Sequence, residues 1–149
     1  MQAADYDTGG QGVGYDVSSV NGNADSYRSD GVNLETTSDT QDTTGAGAAD
    51  DLGWTTNAQW FNYTVDAATA GTYTVSLRVA APSAVTDGLH IANSAGTNLS
   101  GDVNVPATGG FQDWTTVTAN VTLAAGTQTL TLYEDNGGWN VHDLSFAAS

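Results

Sequence analysis

Three stretches of the chain alternate apolar and polar positions with period two. In YTVSLRVA, Tyr73, Val75, Leu77 and Val79 face one way, while Thr74, Ser76 and Arg78 face the other. QWFNYTV sets Phe61, Tyr63 and Val65 on one face, with Trp60, Asn62 and Thr64 opposite, and TQTLTLYED alternates Leu130 and Leu132 with Thr129, Thr131 and Tyr133. Successive side chains of a strand point to opposite faces, so each stretch predicts a half-buried β-strand. Turn signals separate them, notably ATAGT at 68–72 and AAGT at 124–127. No window of 11 residues carries the 3.6-residue periodicity of an amphipathic helix. Short strands with polar outer faces predict an all-β fold, an antiparallel β-sandwich of jelly-roll type, as one domain over residues 1–149. The pattern begins within a few residues of Met1, as expected for a module cut from a longer chain.

Residues 37 to 51, TSDTQDTTGAGAADD, carry no large apolar side chain and read as a surface loop. Asp39, Asp42, Asp50 and Asp51 could donate oxygens to calcium, but their spacing fits no calcium-loop motif. Charge changes the picture more. The 149 residues hold 17 Asp and Glu against two arginines, a net charge of -15, with no lysine and no cysteine. That balance excludes nucleic acid and anionic membrane surfaces as partners, since both need basic patches. It leaves neither a disulfide framework nor a thiolate metal site. A chain so acidic repels itself, and the Debye length falls from ~10 Å at 0.1 M salt to ~3 Å at 1 M. A halophilic-like surface, with a melting temperature that rises with added NaCl, is the expectation.

Catalytic motifs are absent. A glycosidase needs two carboxylates astride a cleft, and no local motif marks such a pair among the acids, which include only Glu35 and Glu134 as glutamates. His90 and His142 form no HExxH or HxxxH pattern; His90 reads as a strand residue and His142 as structural. No GxSxG elbow and no GxGxxG helix opening occur. The aromatic residues say more. Trp60, Tyr63 and Trp114 lie in or at strands and are assigned to packing. Tyr27, Phe111 and Trp139 lie at loop–strand junctions, in NADSYRSDG, TGGFQDW and DNGGWNVHD. A ring raised on loops at one end of a rigid sandwich suits the apolar C–H face of a pyranose, and the Asn140 amide suits its hydroxyl rim. Asn140 and Trp139 are adjacent in a strand, so with Asn140 in the cleft Trp139 becomes wall or core.

GGQGVGYDV, YRSDGVNLE, TTNAQWFNYTVDAATAGTYTVSLRVA, VPATGGFQDWTTV and NGGWNVHDLSF, in that order, resemble the family 6 carbohydrate-binding modules from about Gln2 to Phe146. The resemblance implies a non-catalytic β-sandwich, extracellular and monomeric, joined to a polysaccharide-degrading glycoside hydrolase. It implies a loop-end cleft in which two rings sandwich a sugar of a β-glucan, xylan or agarose. By position, the rings are Tyr27 and Phe111, the hydrogen-bonding amide is Asn140, and Gln11 replaces an acid of the first loop. The candidate binding residues are therefore Tyr27, Phe111, Asn140, Gln11 and Trp139. The structural calcium implied for the family would need acids where this chain has Gln2, Ala4 and Ser145, so no cofactor and a chelator-insensitive melting temperature are expected, with Asp143 the one carboxylate near enough for a shifted calcium set. The rival readings are a glycoside hydrolase or lyase domain, and a structural or adhesion sandwich with a vestigial cleft.

Overall fold

A computed structural model describes residues 1–18 and 27–149, and two five-stranded antiparallel sheets organise it. One has the order β1-β4-β9-β6-β7, built from β1 (Tyr15–Asp16), β4 (Gln59–Ala67), β9 (Gly126–Glu134), β6 (Val85–Asn93) and β7 (Val103–Val105). The other has the order β2-β3-β10-β5-β8, built from β2 (Leu34–Thr36), β3 (Asp50–Leu52), β10 (Asn140–Ala148), β5 (Gly71–Ala80) and β8 (Thr115–Leu123). A 3-10 turn at Ala3–Asp5 is the one helical element among the described residues. The architecture is the all-β sandwich that the alternation predicts.

The alternation also sets which side of each strand is buried. Phe61 and Tyr63 of β4, Val75, Leu77 and Val79 of β5, and Leu130 and Leu132 of β9 all enter the core between the sheets. Tyr63 is buried and donates its hydroxyl to the Ala3 carbonyl at 2.7 Å, which keeps the phenol paired. Trp60 stays half-buried on the opposite face of β4.

β10 breaks the alternation at one place. Its register with β5 shifts between Val141 and Asp143, so His142 is the extra residue of a bulge. Val141 and Leu144 both reach the core, three positions apart, and Asn140 through Leu144 are all buried. The His142 ring packs toward the loop at 37–49. Nδ1 lies 3.0 Å from Asp39 Oδ2, and Nε2 lies 2.9 Å from the Ala48 carbonyl. Arg78 holds the same Asp39 carboxylate with two charge-assisted bonds, at 2.9 and 2.8 Å. The guanidinium and imidazole bonds outweigh burial and lower the Asp39 carboxyl below its usual range. Residues 37–51 are therefore better ordered than their composition suggests. Polar bonds anchor the segment where apolar contacts do not, and Asp39, Asp50 and Asp51 are buried. Asp39 faces a guanidinium and an imidazole, not a calcium loop.

Candidate carbohydrate-binding cleft

At one end of the sandwich, Glu35, Trp54, Thr55, Phe111, Gly138 and Asn140 line a cleft of about 190 Å³. Two rings stand at its mouth. Trp54 is 47% exposed and Phe111 48%, the only aromatic residues among the exposed large hydrophobics of the described chain. Trp54 follows directly on β3 and Gly53, and its backbone holds a φ of 51°. A bulky residue in the left-handed region costs about 1–2 kcal/mol and persists only where its surroundings impose it. The strain aims the indole outward.

The surroundings that impose it are visible. Thr55 Oγ1 donates to the Trp139 carbonyl at 2.6 Å and accepts from the Gly138 and Trp139 amides at 2.9 and 3.0 Å. Gly137 packs so closely on this turn that a Cβ there would overlap the Thr55 carbonyl and Thr56 Cα, and Gly138 turns at a φ of 100°. The glycine pair of NGGW thus lets the chain leading into β10 lie directly on the Trp54 turn. Trp139 then plunges into the core, fully buried, with its Nε1 donating to the Asn136 carbonyl at 2.7 Å. Asn140, one residue on, points the other way and lines the cleft.

The floor is a polar network. Asn140 Nδ2 donates to Glu35 Oε1 at 2.7 Å and to the Phe111 carbonyl at 2.9 Å, which ties ring, amide and acid together. Gln112 Nε2 bridges Glu35 Oε1 at 2.9 Å and Asp51 Oδ2 at 2.8 Å, and its Oε1 accepts from the Ser38 amide at 2.7 Å. Asp51 is fully buried behind Glu35; burial, with the Glu35 charge added, holds its carboxyl up at about 8. Trp114, assigned to packing, lies half-buried against His142 with ring centroids 5.8 Å apart.

Of the residues singled out in the sequence, Phe111 and Asn140 meet here. Tyr27 does not line this cleft. Its hydroxyl bonds to Asp5, and it lines a separate hollow with Thr8, Gly9, Gly10 and Arg28; the NADS that precedes it lies outside the described residues. Gln11 bonds Asp16 and the Val17 backbone within its own glycine loop and also stays outside the cleft. Trp139 is core, not binding surface. The second ring at the mouth of this cleft is Trp54, and the acid lining it is Glu35, neither of which sequence reasoning placed there. The available signal was the glycine before Trp54, the same Gly-aromatic step that marked Phe111. A larger open hollow of about 650 Å³ beside β7 and β8 has no aromatic lining.

The chain matches the model of the carbohydrate binding module (family 6) over residues 23–148. It belongs to that family. One curated relative, the clotting factor G alpha subunit of Tachypleus tridentatus, is 33% identical over 103 residues, covering 68% of the chain; the chain spans 15% of that protein's length. Among solved structures, a module from Cellvibrio mixtus lichenase 5A in complex with cellotriose is 29% identical with a TM-score of 0.67, over 78% of this chain and 86% of that one. The C-terminal module of LamC, a laminarinase from Zobellia galactanivorans, is 34% identical with a TM-score of 0.60, over 66% and 79%. A β-1,3-glucan-binding module from Bacillus halodurans is 28% identical with a TM-score of 0.67, over 99% and 94%.

The calcium that the family implies can be tested on the residues themselves. An antiparallel bridge places Asp143, not Ser145, opposite Gln2, while Ala4 is buried in the core. Gln2 Nε2 donates to the Asp42 and Thr44 carbonyls at 2.8 and 2.9 Å, so amide hydrogens occupy two backbone oxygens that a cation would need. Gln2 Oε1 and Asp143 Oδ2 are buried with no hydrogen-bond partner among the described residues, and His142 Nδ1 lies 3.5 Å from Asp143 Oδ2. With the Asp42 carboxylate facing the Met1 amine at 4.0 Å, one buried carboxylate and one amide oxygen remain, short of the six to eight oxygens that calcium takes. The set does not fit a tightly held calcium.

Proposed function

We propose that this module binds a neutral β-glucan without cleaving it, by stacking a sugar between Trp54 and Phe111 over the Asn140–Glu35 floor. The observation that carries the reading is the pairing of two half-exposed rings, one on a strained backbone, across a cleft whose floor is polar. A pyranose has an apolar face for each ring and a hydroxyl rim for the floor. Cellotriose and β-1,3-glucan, named for two of the similar modules, support the ligand class. Hydrolysis finds no support in the geometry. Glycosidases need two carboxylates that reach the substrate, and behind Glu35 the next acid, Asp51, is fully buried. By kinship with modules of a lichenase and a laminarinase, the module serves as the targeting part of a secreted polysaccharide-degrading enzyme. It does so without a tight calcium at Gln2 and Asp143, so EDTA leaves its melting temperature unchanged; a drop of many degrees would contradict this.

Aromatic contacts contribute ~0.5–1.5 kcal/mol each beyond area burial, and ordering the sugar opposes them, so affinity is on the order of 10 µM to 1 mM. Calorimetric titration with cellotriose and laminaritriose tests the site. Trp54→Ala and Phe111→Ala should each weaken binding roughly tenfold. Binding that survives both substitutions unchanged would place the sugar elsewhere.

A further inference from the structure

The hydrogen-bonding character of the cleft floor is one-sided. Both N–H groups of Asn140 are spent inward, on Glu35 and on the Phe111 carbonyl. Its Oδ1 accepts no bond from any described residue and sits on the cleft side, 3.4 Å from where a side chain on Gly53 would begin. Glu35 Oε1 lies 3.6 Å from the same point. Thr55 Oγ1 is saturated by the Trp139 carbonyl and the two amides that bind it. Gly138 gives its N–H to Thr55. Gln112, the remaining amide, donates only to Glu35 and Asp51. The floor has therefore used its donors before a ligand arrives, and what it shows the ligand is a carboxylate and an amide oxygen.

We propose that the floor of this cleft reads its sugar by accepting hydrogen bonds alone, so that it takes a neutral unit with free hydroxyls and rejects the same unit bearing a carboxylate. Glu35 and Asn140 are the specificity-determining residues. The inference rests on the reading of the Trp54–Phe111 cleft as the sugar site. A hydroxyl donates to Asn140 Oδ1 or to Glu35 and completes them. A sugar carboxylate has no proton to offer at neutral pH and would bring a second negative charge against Glu35 in a partly dry cleft. Gln112 and Asn140 restrain Glu35 from swinging away, because its Oε1 is held from two sides.

The matched probes are cellotriose and its counterpart oxidised to the carboxylate at every C6, titrated calorimetrically at pH 7. About 1 M NaCl screens the long-range repulsion between a polyanion and a chain of net charge -15, leaving only contact effects. The expected result is cellotriose binding with the oxidised trisaccharide at least about tenfold weaker, and a smaller gap for Glu35→Gln, which removes the charge and supplies a donor. Oxidised trisaccharide bound as tightly as cellotriose by the unsubstituted module overturns the inference and leaves the sugar cleft standing. No binding of cellotriose, laminaritriose or the oxidised probe removes the sugar reading itself, and this inference with it. The comparison is made on the unsubstituted module, so it holds even if Glu35→Gln fails to fold.

Discussion

Trp54 and Tyr27 show how a single ring is committed by its nearest polar partner. Tyr27 finds a carboxylate 22 residues away in sequence, and its hydroxyl bond to Asp5 pushes its own pKa up to about 12. Trp54 has no such partner among the described residues and stands outward on a left-handed backbone. The difference was illegible in sequence because both rings sit at loop–strand junctions, and the Asp5 partner is local to neither. Glu35 was hidden for another reason: it is one of 17 acids, and only its contact with Asn140 distinguishes it. Asn140 was suggested by its amide and by the family resemblance, and strand parity then sends Trp139 inward, as the structure places it. Phe111 was legible too, from two glycines before an aromatic. At this scale, Tyr27→Phe should leave cellotriose affinity unchanged, while Phe111→Trp should raise it severalfold through a larger stacking face. Calorimetry on the two variants checks both, and lost affinity in Tyr27→Phe would return that ring to the site.

Between elements, the cleft depends on three segments that meet at the sandwich end: the turn after β3, the turn before β8 and the start of β10. The strands themselves were readable from alternation, since period two leaves little choice of inward face. β2 and β3 were not, being three residues each, too short for a period to show. β3 reads only as part of an acidic, glycine-rich stretch, and with it the origin of Trp54 was lost. The GGW doublet lets two backbones touch and buries the ring that follows. Gly137→Ala tests that contact. Its Cβ must push the Thr55–Thr56 backbone aside, at a cost of about 1–3 kcal/mol. For a chain of this size that is a melting temperature lower by several degrees, with weaker sugar binding because the Trp54 turn moves. Unchanged thermal unfolding and binding would show the contact to be slack.

Across the whole molecule, buried acids set the dependence on pH. Burial raises Glu134 and Asp51 to about 8 and Asp143 to about 6. Unfolded, each ionises near the usual ~4, so above that pH the unfolded chain binds fewer protons than the folded one. Stability contributed by these groups is thus lost as pH rises from ~4 towards ~8. Asp39 acts in the opposite sense. Its lowered folded value gives stability that is present above ~4 and disappears as pH falls through the folded value. The melting temperature should peak in the mildly acidic range and decline towards pH 8, and Glu134→Gln should flatten that decline. A circular-dichroism series from pH 3 to 9 reads both, and greater thermal stability at pH 8 than at pH 5 would refute the account.

The close approach of Gly137 to the Trp54 turn also matters to anyone moving this cleft onto a different scaffold. Neither wall keeps its shape by itself, because the strain at one is borne by the backbone of the other. Transplanting the indole segment alone would let it relax and lay its ring flat. The portable unit is the two segments together, carried across as a single rigid cassette.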